Sequence, residues 1–144
     1  MFSKTCEYGI RATLHIAHQS QLGSRVSLKD IAKAIDSPEA FTAKILQQLA
    51  RNGIINSVKG PSGGFEISQE QLSRIKLSHI VYALDGDSIY RGCGLGLREC
   101  NEHKPCPVHN QFKAIRNELK VMLETTDIKG LADNLNEGLS FLKR

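Results

Sequence analysis

Three observations predict a mainly α fold built on a winged helix-turn-helix, with a two-stranded β wing and a long C-terminal dimerisation helix. A short capped helix is followed by a Ser-Pro turn and a second helix. A Gly-rich basic loop then joins two short alternating runs. Further on, apolar residues recur at spacings of four and three along the last third of the chain. A short helix, a tight turn and a second helix make the helix-turn-helix arrangement, and the hairpin after it supplies the wing. At 144 residues the chain suits one ordinary domain, or a small domain with an appendage.

The elements follow in order. Residues 3–19 read as a helix, with Ile10, Leu14 and Ala17 on one stripe. "QLGSR" breaks it. Ser27 caps the short helix "SLKDIAKAI", and Asp30 places a negative charge in its first turn. Ser37 is the expected N-cap of the third helix, with Pro38 as first helical residue. Phe41, Ile45, Leu46 and Leu49 form its buried face, and Gly53 ends it. Ile54–Val58 and Phe65–Ser68 bracket the wing tip, Lys59 to Gly64. "IKLSHIVYALDG" is a further amphipathic helix. From about Pro107 a long helix carries Val108, Phe112, Ile115, Leu119 and Met122, an a/d seam over two heptads. A seam that narrow fits pairing between two chains better than packing within one, so Phe112, Ile115, Leu119 and Met122 are the expected dimer contacts. The tail repeats apolar residues at Ile128, Leu131 and Leu135 and is expected to fold back on the core. The chain thus divides into a DNA-binding unit (1–75), a connecting helix with a cysteine loop (76–106) and a dimerisation helix with its tail (107–144).

Composition narrows the function class. Hydrophobic content of 40% and charged content of 24% are those of a globular protein. No apolar run approaches the ~18 residues of a membrane span. The N-terminal apolar run is interrupted by Glu7 and Arg11, which argues against a signal peptide and for a cytoplasmic protein. The net charge of +4 is modest, but no acidic residue lies between Glu39 and Glu66, while Lys44, Arg51 and Lys59 do. A local basic face on a nearly neutral chain suits contact with phosphates.

A recognition helix presents its N-terminal residues to base edges in the major groove. Here Ser37, Glu39 and Thr42 are candidates for hydrogen bonds to bases. Ala40 and Ala43 are candidates for thymine methyl groups, and Phe41 lies in the same segment. Lys44, Arg51 and Lys59 are candidates for phosphates, with Ser62 beside them on the wing tip. The expected partner is a double-stranded DNA operator, with neither a membrane nor a small-molecule substrate involved.

The stretch "CGLGLRECNEHKPCPVH", Cys93 to His109, holds three of the four cysteines. In a reducing compartment such clustering argues for metal or redox chemistry over disulfides. Structural zinc sites use close Cys-x2–4-Cys pairs, and none occurs here. Spacings of six and five residues suit a wider object, and thiolates are the usual ligands of iron–sulfur clusters. Three cysteines leave one coordination position, and His109 lies three residues after Cys106 at the start of the long helix. His103, between the second and third cysteines, reads as solvated. Cys6, alone on a helix, reads as a small buried hydrophobe.

"SKTCEYGIRATLHIA", "VSLKDIAKAI" and "ILQQLARNGIINSVKGPSGGF", followed by the cysteine loop and long helix, resemble the IscR/NsrR type of winged-helix regulators. The resemblance covers essentially the whole chain and is most specific in "LARNGIINSVKGPSGGF". It implies a dimeric transcription factor, not an enzyme, that binds a palindromic operator. It also implies an iron–sulfur cluster held by Cys93, Cys100 and Cys106. His109 matches the histidine that completes a 2Fe-2S cluster in the iron–sulfur biogenesis branch, which makes 2Fe-2S the preferred cluster. Glu7 matches the acidic ligand that the nitric-oxide-sensing branch donates from a partner subunit to a 4Fe-4S cluster. Nuclearity and fourth ligand therefore stay open. One departure stands out: the biogenesis branch uses an acidic residue in the recognition helix to discriminate operators, and Ala43 occupies that position.

Two other readings compete. Cysteine-metabolism regulators of the same family bind no cluster, so the thiols could instead form a disulfide or bind zinc. A cluster-containing redox protein that does not bind DNA is the other, but the chain has no Gly-x-Gly-x-x-Gly fingerprint, and that reading leaves the basic wing without a role.

Overall fold

The computed structural model describes residues 1–143; the last residue of the tail, Arg144, lies outside the described residues. The elements run α1 (Lys4–Gln21), α2 (Leu28–Ala34), α3 (Glu39–Arg51), β1 (Asn56–Val58), β2 (Gly64–Glu66), α4 (Gln69–Arg74), α5 (Leu77–Asp85), α6 (Ser88–Arg91), α7 (His109–Thr125) and α8 (Ile128–Asn136).

Side-chain caps set four of the helix starts, those of α1, α2, α4 and α8. The Ser3 hydroxyl accepts from the Cys6 N–H at 3.0 Å, and the Ser27 hydroxyl from the Asp30 N–H at 3.1 Å. Each satisfies one of the donors that a helix start leaves unpaired. The third helix differs from expectation. Its N-cap is Pro38, with no side-chain cap. Ser37 belongs to the preceding turn, because its N–H donates to Ala32 O at 2.9 Å. Asp36, at φ 54, makes that turn possible; a short polar side chain tolerates the left-handed region.

The wing is a two-stranded antiparallel sheet with Ser57 opposite Phe65. Its strands are shorter than the alternating runs suggested. Ile54, Ile55 and Ile67 leave the ladder and enter the core, at 2%, 1% and 4% exposure. Ser68 instead starts α4 through a reciprocal capping box with Gln71. Gln71 is the joint of this region. Its amide donates to Gly53 O at 3.0 Å and to Asn56 Oδ1 at 3.1 Å, and its carbonyl oxygen accepts from Asn56 Nδ2 and the Ser68 N–H, both at 2.8 Å. Gln71→Leu removes all four hydrogen bonds at once. It is expected to lower the unfolding free energy by about 2 kcal/mol, read from urea unfolding.

The core centres on α1, whose Cys6, Ile16 and Ala17 are fully buried. A Cβ at Gly9 would strike the Leu84 side chain, so glycine lets α1 and α5 approach closely. The tail does fold back: α8 packs on α1, with Ile128 and Ala132 fully buried.

On α7 the structure corrects the expected single seam. His109, Phe112, Arg116, Leu119 and Leu123, at spacings of three and four, turn towards their own chain. Leu123, absent from the expected seam, is fully buried. Phe112 covers Gly94, where a Cβ would collide with its ring, and Leu119 packs against the core. Ile115 and Met122 face outward at 58% and 47% exposure, with Val121 nearby at 60%. The apolar content of α7 thus serves two faces, and the 4-3 stripe mixed members of both.

Candidate nucleic-acid interface and cysteine site

Helix α3 packs against α1 and α5 through Ile45, Leu46 and Leu49, leaving its opposite face open. Glu39, Ala40, Lys44 and Arg51 are exposed there, as are Lys59 and Ser62 on the wing. Ser37 is half-buried, and Phe41 meets Tyr8 edge-on with ring centroids 5.7 Å apart. Thr42 is a correction. It is fully buried, and its hydroxyl donates to Pro38 O and meets the Ser37 hydroxyl, each at 2.9 Å. It therefore tightens the helix start and presents nothing to a base. Gln47 was missed; it is exposed three residues after Lys44, on the same face.

The cysteine loop runs from Gly92 to the start of α7. His109 opens that helix and is 8% exposed. Its Nδ1 meets Cys100 Sγ at 3.4 Å, and its Nε2 is buried without a partner. The Cys93 Sγ accepts from the Leu95 N–H at 3.4 Å, and its thiol is held below the usual thiol range, first of all by that contact. Of the four predicted ligands, the structure thus brings Cys100 and His109 into contact. Among the described residues, no group of three or more His, Cys, Asp or Glu side chains converges on a single metal position.

A cleft of about 500 Å³ opens beside His109 and Cys100, and in its walls Arg91, Arg98, Lys113 and Arg116 outnumber Glu99 and Glu102. Arg116, missed from the sequence, donates to Cys100 Sγ at 3.1 Å and to Gly92 O. It ties the start and middle of the loop to α7. The Tyr90 hydroxyl, like His109 Nε2, is buried without a partner. Unpartnered buried polar atoms are uncommon in a finished interior. An imidazole nitrogen without a partner, a thiol beside it and surrounding guanidinium groups are a donor set and a field that fit an anionic, thiolate-ligated metal group.

The other candidates sit elsewhere. Glu7 is ion-paired with Lys4 at 3.0 Å in the first turn of α1. His103 is exposed, with its backbone N–H bound by Asn101 Oδ1 at 2.8 Å. Cys6 is fully buried, and its pKa is pushed up to about 12, first by burial and then by Asp85 and Glu7. Because the thiolate is the reactive form, Cys6 is expected to stay unmodified in the native protein while the loop cysteines react with iodoacetamide. Mass mapping of alkylated peptides checks this.

A family model described as Rrf2, iron-dependent transcriptional regulator, matches residues 2–134. The chain belongs to the Rrf2 family. This Rrf2 protein is 33% identical over 135 residues to an HTH-type transcriptional regulator of Aquifex aeolicus, covering 91% of this chain and 90% of that one. It is 25% identical over 127 residues to the HTH-type transcriptional regulator IscR of Photorhabdus laumondii, covering 88% and 76%. Two solved structures share its fold. CymR, the global cysteine regulator of B. subtilis, superposes at TM-score 0.73 with 22% identity, covering 92% of this chain and 96% of that one. T. potens IscR superposes at 0.74 with 18% identity, covering 97% and 91%. This Rrf2 protein is a mainly α winged-helix transcriptional regulator. Among the described residues no helix is long and apolar enough to cross a membrane.

Proposed function

We propose that this Rrf2 protein binds palindromic operator DNA as a homodimer and changes its affinity with the state of an iron–sulfur cluster. The observation that carries the reading is His109. It is buried, with one ring nitrogen on Cys100 and the other unpartnered in a basic cleft, and it shares a helix face with the core residue Leu123. Cys93, Cys100, Cys106 and His109 are the proposed ligands, and 2Fe-2S is the preferred cluster. Glu7 donated by a second copy, with 4Fe-4S, is the alternative. When bound, such a cluster supplies a redox-active centre open to oxidants, nitric oxide and iron shortage. The chain's own residues do the rest. His109 and Arg116 join the loop to α7, and α7 joins α5, which packs on the recognition helix α3. A change at the loop thus reaches the spacing of two recognition helices, and half-sites about 34 Å apart tolerate little change in it.

Anaerobic purification tests the ligand set. Wild type is expected to be brown, with stoichiometric iron and sulfide. His109→Ala should lose or alter the visible spectrum, and Glu7→Ala should keep it. Colourless wild type without iron contradicts the reading. One observation favours a second reading: Cys93, Cys100 and Cys106 are free and half-buried on one loop, which suits a sensor that closes a disulfide without a cluster. Wild type that never takes up iron, yet binds its operator only when reduced, would select it.

A further inference from the structure

The wing of this protein is fastened to the loop between α1 and α2. Val26 and Phe65 exchange backbone hydrogen bonds at 3.0 and 2.8 Å, an isolated antiparallel bridge on the edge of β2 away from β1. A Cβ at Gly64 would lie 2.7 Å from Val26 O, and the glycine stands at φ +141, so the approach needs glycine. The Ser20 hydroxyl accepts from the Ile67 N–H at 3.0 Å just beyond the strand. All these ties hold the base of the wing.

The tip is held differently. Arg25 Nε donates to Glu66 Oε2 at 2.9 Å, and Arg25 Nη1 donates to Ser62 O at 3.2 Å. Within the tip, the Gly63 N–H closes a turn on Gly60 O at 2.9 Å. Among the described residues, Arg25 is the one side chain that hydrogen-bonds residues 59–63. Its planar fork spans a carboxylate on β2 and a carbonyl at the tip, a geometry a lysine cannot reproduce. Lys59, three residues before Ser62, is exposed on the same short loop.

We propose that Arg25 and Glu66 form a wing anchor: a positioning pair that sets where the tip, with Lys59 and Ser62, meets the DNA beside the major groove read by α3. The inference rests on the operator-binding reading above. It assigns work to an acidic residue on a surface where simple electrostatics disfavours one. Removing a carboxylate near DNA strengthens binding when only charge matters. The anchor predicts the opposite sign, because without Glu66 the guanidinium is no longer oriented on Ser62.

The test uses full-length wild type, Glu66→Gln, Arg25→Ala and the exchanged pair Arg25→Glu with Glu66→Arg. The probe is a double-stranded operator selected by the wild-type protein from a random-sequence library. Glu66→Gln and Arg25→Ala should each weaken binding about tenfold, the scale of one lost wing contact. Hydroxyl-radical protection should disappear in the flanking groove reached by the wing and persist over the bases read by α3. The exchanged pair should recover at least part of both. Thermal unfolding should change little across the set, since the pair is partly exposed and a solvent-screened ion pair contributes little to stability. Equal or tighter binding by Glu66→Gln overturns the anchor and makes Arg25 a direct phosphate contact or a bystander. Weak binding by the exchanged pair with a retained wing footprint also overturns it. If wild type selects no DNA at all, the operator-binding reading fails, and that outcome is distinct from both.

Discussion

Ile115→Glu combined with Met122→Glu is expected to abolish operator binding while leaving the protomer folded. Both side chains lie on the outward face of α7, seven residues apart, at 58% and 47% exposure. Each is only about half covered by its own chain, so charge there costs the monomer much less than it would in the core. In a dimer the same positions would be buried against a second copy, and unpaired carboxylates in an apolar interface are strongly unfavourable. The consequence for DNA follows from linkage of the two half-sites. Joining two binding modules raises the overall affinity by roughly 10²–10⁴ over one module. Loss of the dimer should therefore weaken binding to a two-half-site operator by that factor, and leave binding to a single half-site nearly unchanged. Sedimentation gives the oligomeric state, circular dichroism the fold, and titration against both DNAs the affinity. A variant that still sediments as a dimer would move the interface elsewhere.

Leu123→Ala carries the largest expected stability effect. The side chain is fully buried on the inward face of α7, among core residues that include Ile80, Val81 and Ile128. Truncating a buried leucine removes transfer free energy and leaves a cavity, at about 3 kcal/mol or more. The loss should be visible as a lower urea midpoint with an unchanged slope. The position also matters for the site. Leu123 is the core anchor of the face that carries Arg116 and His109, so a loosened α7 should retain less iron after anaerobic gel filtration. Ile115→Ala, on the outward face, should cost well under half as much.

The contrast between those two residues shows where the sequence was legible. Cap chemistry is local, so Ser27 with Asp30 marked the start of α2 without knowledge of the rest. Glycines in "KGPSGG" marked the wing for the same reason. The α7 stripe misled because a 4-3 spacing is shared by two adjacent faces of one helix, and only packing separates them. Thr42 misled because an N-terminal hydroxyl on a recognition helix has two uses, and Pro38 O and Ser37 lay within its reach. The short α4 has a local signal of its own, Ser68 and Gln71 at capping-box spacing, which the alternating run Phe65–Ser68 overlaps. Arg25 and Arg116 could not be read at all. Their partners lie 37 and 41 residues away for the first, and 16 and 24 for the second. Such contacts exist only once the chain has folded.

The central claim is that one loop, held to α7 by His109 and Arg116, makes DNA affinity depend on a bound cluster. The most direct measurement is the anaerobic affinity of cluster-loaded and cluster-free wild type for the same selected operator. The account predicts a difference of about tenfold or more, the usual scale of coupling between two sites, and its disappearance in His109→Ala. Equal affinities of the loaded and cluster-free protein for every operator tried would contradict it.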